Sequence, residues 1–475
     1  MSLPRRSQSA LEYMMTYGWA ILVIVIVAGV LYSLGIFSPS SAITSSVTGF
    51  SNLGSVAAQV IPNSGLVLSL GDSTGYNINI TNITISLDGK TSTIRPDSLI
   101  SSSSSSRFFI PFSSVPASSS YSFSVTVSYT EPGQIFPGPY VSTGTVYGTS
   151  TSSSGFYQAI TITNSQTTPT PAPFQQMINM SISNGGWYSV TGMIAPNYQN
   201  VEFFYPNGTV IPSWLENYSS SQFIYWIKLQ NGIPASSSIT IYMVYFPKSD
   251  NVLNNVNNGE APQISCGSTP TSSCSNYAEY DDGANVFNNY WNFAGTSFPT
   301  GFTNYNNGGT STVNNGLNIS LASSGIYYGF VYNAAISPYS IVEAYSTGKR
   351  TNGPTDLGVY PSNSESVTGF AGVANTWGWG DGTISGGYGN IGNPFDISSG
   401  SGVASIYWIG TGDEGVGWNY DFVSSTYSIT IPSSIYLSIG MGNNCAGSDL
   451  VYYWLRVRAY PPNGVMPSVS FGSVA

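Results

Sequence analysis

Chemistry in this chain falls to carboxylates, aromatic rings and three cysteines, because the sequence contains no histidine. That excludes a Ser–His–Asp triad, a Cys–His protease, His-ligated zinc and His-ligated haem. Cleavage of a glycosidic bond needs two carboxyl groups flanking it. A closely spaced run such as Glu-x-Asp-x-x-Glu would set them on one strand, and 284–475 has none; Glu343, Glu365, Asp381 and Asp396 stand isolated. On this reading the chain is not an enzyme and no residue is catalytic. Loop acids suit calcium better. Asp413 and Glu414 with Asp421 form one candidate set and Asp281-Asp282-Gly283 another, with plain solvated acids as the alternative. Trp377 and Trp379 alternate among glycines, so on a strand both indoles face one side. With Trp418 and Tyr420 they are candidates for stacking on pyranose rings, and core packing is the competing role.

Cys266 and Cys274 are close enough in sequence for a local disulfide in an oxidising exterior, with two free thiols as the alternative; Cys445 is left over. Asn79, Asn82, Asn179, Asn207, Asn217 and Asn318 each begin an Asn-x-Ser/Thr sequon and are glycosylation candidates outside the cell. Charged residues make up 7% of the chain and the formal net charge is −10, so the basic footprint of a nucleic-acid binder is missing. Ser, Thr, Asn and Tyr supply the polarity instead, as in surface or secreted β proteins.

The elements that would hold these residues are strands. Tyr121 to Tyr129 alternates apolar and polar residues, the period of a half-buried strand. Ile83, Ile85 and Leu87 alternate up to the turn signal Asp88-Gly89. These runs place a β-sandwich of Ig-like kind at 38–165. Alternating Pro and Thr at 166–173 reads as an extended linker. A small β domain is expected at 174–250, with a hairpin turning at Asn207-Gly208, then a loop at 251–283 and a larger sandwich at 284–475.

The N-terminus carries Arg5 and Arg6, then Ser7-Gln8 and Glu12, then an uncharged apolar run from Tyr17 to Phe37. As a helix that run spans about 31 Å, one bilayer core, and the arginines place the N-terminus in the cytoplasm and the bulk outside. If the chain is cut after Ser7, Gln8 becomes the new amino terminus. Glu12 then lies one turn on, able to pair with a neighbouring subunit's terminal amine. Gln8, Glu12 and the apolar run resemble archaeal type IV pilin-like proteins with class III signal peptides, although Arg6-Ser7 stands where many members have Lys-Gly. The resemblance implies a leader at 1–7 and a pilin-type transmembrane helix at 8–37. An ordinary secretory signal peptide and a plain signal-anchor are the alternatives.

Two further resemblances follow. Gly208-Thr-Val-Ile-Pro-Ser-Trp-Leu-Glu216, Trp226-Ile-Lys228 and Ile233-Pro-Ala-Ser-Ser-Ser-Ile-Thr-Ile-Tyr-Met-Val-Tyr245 resemble a domain of unknown function widespread in prokaryotic surface proteins. That domain commonly precedes a concanavalin A-like sandwich. Trp291-Asn-Phe293 and Tyr453-Trp-Leu-Arg-Val-Arg-Ala-Tyr460 resemble the first and last strands of such laminin-G-like jelly rolls. Together these readings imply a mainly β cell-surface protein on an N-terminal membrane helix. Its expected role is that of an adhesin or minor (tip) pilin-like subunit with a lectin-like, carbohydrate-binding head. Its partners would be membrane, pilin subunits and glycans, with Ca²⁺ as the one candidate cofactor. A monomeric membrane-anchored lectin is the alternative, and a glycan-processing enzyme ranks below it.

Overall fold

The computed structural model describes Val23 and residues 45–151, 155–182, 190, 192–266, 274–306, 308–323, 328–349, 354–360, 371–374, 399–410, 413–424, 434–441 and 446–474. Leader, cut site and apolar run therefore lie outside the described residues, apart from Val23. Among the described residues no helix is long and apolar enough to cross a membrane.

The described chain is mainly β and forms three two-sheet modules. In the first, a six-stranded sheet faces a three-stranded one. Ser120–Thr130 buries every second residue, as the alternation from Tyr121 to Tyr129 dictates. Its Phe123, Val125 and Val127 meet Leu66, Leu68 and Phe108 of the smaller sheet in one core. Asp88 and Gly89 both have positive φ (51° and 77°) and close a two-residue hairpin between Leu87 and Lys90. That is the geometry an Asp-Gly pair favours.

The second module departs from the expected boundaries. Phe156–Asn164 precedes the Pro/Thr stretch, yet it pairs with Ser237–Tyr245 on one side and with the C-terminal strand Ser468–Val474 on the other. Residues 166–173 are therefore a connection inside this module rather than a linker between modules. The third module gives up its last residues to the second in the same way. The expected loop at 251–283 contributes the strand Asn258–Glu260, parallel to Ser213–Tyr218. Linker composition reports only local chain stiffness, whereas a module is defined by hydrogen bonds between strands far apart in sequence, which composition does not encode.

The third module packs an eight-stranded sheet on a five-stranded one. Leu455 and Val457 of the first meet Leu437 and Ile439 of the second in its core. The contact between the first and second modules has an apolar cluster at its centre. Phe109 and Val67 of the first module pack on Phe204, Val244 and Phe246 of the second. Gly208 lies at this junction with φ +88°, and a Cβ there would stand 2.3 Å from Ile94 and 2.7 Å from the Phe109 carbonyl. Only glycine fits that approach.

Candidate functional site

The strand Ser448–Ala459 ends in alternating order. Leu455 and Val457 point into the sandwich core, so Trp454, Arg456 and Arg458 emerge on the opposite face. Register aligns three rows across the neighbouring strands. Trp454 lies opposite Tyr345, Arg456 opposite Glu343, and Arg458 opposite Ile341. The next strand continues these rows with Val403, Ser405 and Tyr407. An outward face carrying two arginines and a glutamate would ordinarily meet water. Here Arg456 and Glu343 are each 0% exposed, because the second module covers them.

The cover is built from the strands Ser213–Tyr218 and Gln222–Leu229. Trp214 pairs with Trp226, and their rings lie over the third module beside Trp454 and Phe287. A register shift leaves Glu216 as an extra residue between the pairs Leu215–Tyr225 and Asn217–Ile224. Such a bulge re-aims a side chain, and Glu216 reaches Arg456 of the other module at 2.8 Å. That contact, through Nη1, is a charge contact without hydrogen-bond alignment. Arg456 Nε donates to Glu343 at 2.7 Å and Nη2 to the Tyr420 hydroxyl at 2.9 Å. Four rings surround its guanidinium, those of Trp454, Trp226, Phe287 and Trp214, at 4.4, 4.6, 4.6 and 5.4 Å from their centroids. Arg458 donates to Glu343 Oε1 through Nε (3.0 Å) and Nη2 (2.8 Å) and lies 4.9 Å from the Trp226 centroid. Trp226 Nε1 donates to Glu216 at 2.7 Å, and the Tyr420 hydroxyl also donates to Glu216.

These charges control one another. Burial pushes the Glu343 carboxyl up, but the Arg456 and Arg458 guanidiniums outweigh it and hold it below the usual range. Burial alone would lower Arg456; Glu343, Tyr420 and Glu216 hold it above its ordinary value instead. Tyr420 rises well above the usual phenol range, first by burial and then through Glu216 and Glu343. Glu343 is therefore anionic and the tyrosine neutral near pH 7.

Beside this network a cavity of about 190 Å³ opens between the modules. Trp226 and Met177 of the second module line one side, and Tyr407, Tyr420, Phe422 and Arg458 of the third line the other. The chain from Tyr460 to Met466 closes one end. It is tied to the second module by Asn463 Nδ2 on Gln166 Oε1 at 2.9 Å. Tyr420 reaches the site through a tight hairpin turn in which Asn419 and Tyr420 both have positive φ, 50° and 71°. Tyrosine rarely adopts that conformation. Two hydrogen bonds of 2.9 Å between Asn419 and the Val403 backbone hold the turn against its cost.

Of the four aromatic candidates, Tyr420 lines this cavity. Trp418 packs against the core of the third module, and Trp377 and Trp379 lie outside the described residues. Asp421 is exposed at the start of Asp421–Ser424. Asp413 and Glu414 lie on the paired strand Asp413–Trp418, and their side chains are outside the described residues. Among the described residues no three Cys, Asp or Glu side chains gather as a metal site. Asp281 instead accepts hydrogen bonds from Trp214 Nε1, Tyr290 Oη, Asn292 Nδ2 and the Gly283 amide. Of the sequon asparagines, Asn217 is exposed, whereas Asn79, Asn207 and Asn318 use their amides on Asp97, the Pro96 carbonyl and Asp449. Asn179 accepts from Gln222, and Asn82 has its amide 3.4 Å from the Thr84 hydroxyl. Ser7, Gln8 and Glu12 lie outside the described residues, as does Cys445.

Sequence reasoning missed Trp226, Glu216, Arg456, Arg458 and Tyr407 as site residues. One signal was present. Trp454, Arg456, Arg458 and Tyr460 recur at every second position, which marks a polar and aromatic strand face that needs a partner.

Cys266 and Cys274 form a disulfide with 5.6 Å between Cα atoms, packed against the cluster between the second and third modules. Closing so short a loop contributes about 2–3 kcal/mol at most. Replacing both cysteines by alanine is expected to lower the free energy of chemical unfolding by that amount or less, while unfolding stays a single transition. Two separated transitions would mean that the bridge holds the modules together.

No family model matches the chain. It is 30% identical over 361 residues to "Uncharacterized protein 562" of Sulfolobus islandicus rod-shaped virus 1, an alignment covering 65% of this chain. The chain spans 58% of the length of that relative. Similar solved structures include a glycosyl hydrolase family protein from Mycobacterium fortuitum, with 11% identity, TM-score 0.29, and 36% of this chain and 99% of that one covered. A beta-1,3-glucanase from Mycobacterium marinum has 11% identity, TM-score 0.28, and 36% and 98% covered. A protein of unknown function with galectin-like fold from Bacillus subtilis has 10% identity, TM-score 0.24, and 33% and 89% covered. The expectation that the chain is not an enzyme is corrected here, because its premise was too narrow. Acid spacing along one strand cannot exclude a carboxylate pair when Glu216 and Glu343, from different modules, meet on one guanidinium.

Proposed function

We propose that the chain recognises a carbohydrate in the cavity between its second and third modules. The observation that carries this reading is the composition of the wall. Aromatic rings from both modules flank a small cleft, and a single guanidinium is the charged group among the lining residues. Rings give a flat apolar surface for a pyranose, and few polar groups fix its orientation. Phe422, 38% exposed, forms the accessible rim. In a chain anchored through the pilin-type N-terminus, cut between Ser7 and Gln8 and assembled through Glu12, this cleft would act in adhesion at the cell surface.

Calorimetric titration of a monosaccharide panel tests the reading. At least one sugar is expected to bind, and Phe422→Ala is expected to weaken it about tenfold, the value of one ring contact, with the unfolding midpoint unchanged. Absence of binding across the panel, or binding indifferent to Phe422→Ala and Tyr420→Phe alike, would remove the site.

A further inference from the structure

We infer that a hairpin tip on the first module docks into a cavity of the second module in another copy of this chain. The tip joins the paired strands Ser120–Thr130 and Tyr140–Thr149. At its apex Ile135 is 91% exposed and Phe136 79%, the most exposed large apolar side chains among the described residues. Adjacent bare apolar side chains at the apex of a turn form a contact surface, unlike single ones scattered over a protein. The turn also holds them in a fixed pose. The Glu131 amide donates to the Pro137 carbonyl at 2.8 Å, and the Gln134 amide to the Glu131 carbonyl at 3.3 Å. The Tyr140 hydroxyl donates to the Phe136 carbonyl. Pro132, Pro137 and Pro139 restrict φ at three positions. Little freedom is left to lose on docking.

The receiving cavity has a volume of about 560 Å³. Ile194, Pro196, Tyr198 and Tyr218 give it apolar walls, and Ser220 and Lys248 also line it. It shares no lining residue with the cavity beside Trp226 and Arg458, so the inference does not rest on the carbohydrate reading. Its wall is built in advance. The Tyr198 and Tyr218 ring centroids lie 4.6 Å apart. Tyr198 has φ 61°, a conformation tyrosine rarely adopts. Its amide, on the Ala195 carbonyl at 2.9 Å, and its hydroxyl, on the Ser219 carbonyl at 2.8 Å, hold it there.

Size, chemistry and charge point to the tip as the occupant. The volume lies within the usual range of about 300–1,000 Å³ for a binding pocket, room for two neighbouring side chains. Phenol rings pack favourably on a phenylalanine ring, edge to face. Glu131 is the one charged residue from Thr130 to Tyr140, and Lys248 is the one charged residue lining the cavity, so the two surfaces are opposite in sign. An anionic lipid surface has no such match, because the tip carries no lysine or arginine to draw it. Tip and cavity are different surfaces, so the contact is heterologous and adds copies head to tail.

Sedimentation velocity of the full-length chain in neutral detergent tests this. Species growing beyond two copies as concentration rises are expected. Ile135→Ser with Phe136→Ser removes the apolar tip, and Ser220→Trp fills the cavity from an exposed position. Each is expected to weaken self-association about tenfold or more. The mixture of these two variants is the sharpest measurement. One brings an intact cavity and the other an intact tip, so they should form a complex of one copy each and stop there. Glu131→Lys and Lys248→Glu should each weaken association, and the double exchange should restore it. A parent chain that does not associate, association untouched by the tip and cavity variants, or no complex in the mixture would overturn the inference. Binding to neutral lipid vesicles that is lost with the tip variant and kept by Ser220→Trp would place the tip in a membrane and overturn it too.

Discussion

Arg456→Met is expected to be the most damaging single substitution in the chain, lowering stability by about 3–5 kcal/mol. The guanidinium is fully buried, bonds Glu343, touches Glu216 and is ringed by four aromatic side chains. Methionine would fill much of the volume. It would leave Glu216 with only the Trp226 and Tyr420 donors and Glu343 with Arg458 and the Ser405 hydroxyl, in a medium that solvates charge poorly. The damage should fall on the junction, because both carboxylates lie between modules. Guanidinium chloride unfolding followed by tryptophan fluorescence should show an earlier midpoint and a separate first transition for parting of the second and third modules. Replacing all four charges together, with Met for Arg456 and Arg458 and Gln for Glu216 and Glu343, should recover most of the loss. Buried ion pairs are often matched by neutral packing once no charge is stranded. A single variant as stable as the parent would mean that water reaches the network.

Stability should fall as pH rises from about 4.5 to 7, opposite to the behaviour of a protein held by paired surface carboxylates. Glu202, at the junction of the first two modules, is wholly buried and pushed up to about 7, and Arg107 Nη1 at 3.0 Å only partly offsets that burial. Glu260 is also pushed up to about 7 by burial, against a hydrogen bond from Ser265. Asp281 and Asp282 are raised by burial as well. In the unfolded chain these acids lose their protons near 4.5, the ordinary glutamate value, or a little below. Between that point and about 7 the folded state binds more protons than the unfolded one, so stability declines with pH. Glu202 and Glu260 each contribute on the order of 3 kcal/mol to this decline. Glu343 acts with the opposite sign. Its lowered pKa stabilises the fold above the ordinary carboxylate value, and that contribution disappears in stronger acid. Maximal stability is therefore expected near pH 4–5. Thermal unfolding across pH 3–8 measures the profile, and Glu202→Gln with Glu260→Gln should flatten its upper arm. A midpoint that climbs from pH 5 to 7.5 would contradict the assignment.

Much of the fold is legible in the sequence because strands write their period locally. The alternation of Tyr121 to Tyr129 and the turn at Asp88-Gly89 both appear in the structure as local sterics require. The absence of histidine and the scarcity of charge restrict the available chemistry to carboxylates, rings and three cysteines.

Tertiary structure decided which strands share a sheet and what covers each face. Phe156–Asn164 and Ser468–Val474 stand on either side of the third module in the sequence, yet they are neighbours in one sheet. Hydrogen bonding along a strand edge is the same for any sequence, so composition cannot name the partner. The alternation of Trp454, Arg456 and Arg458 marked a face at odds with both core and solvent. Only the arrival of Glu216 on its bulge, beneath Trp214 and Trp226, turned that face into a charged junction with a cavity beside it. Side-chain periodicity is a property of one strand, and a site made where two modules meet depends on distances that no single strand contains.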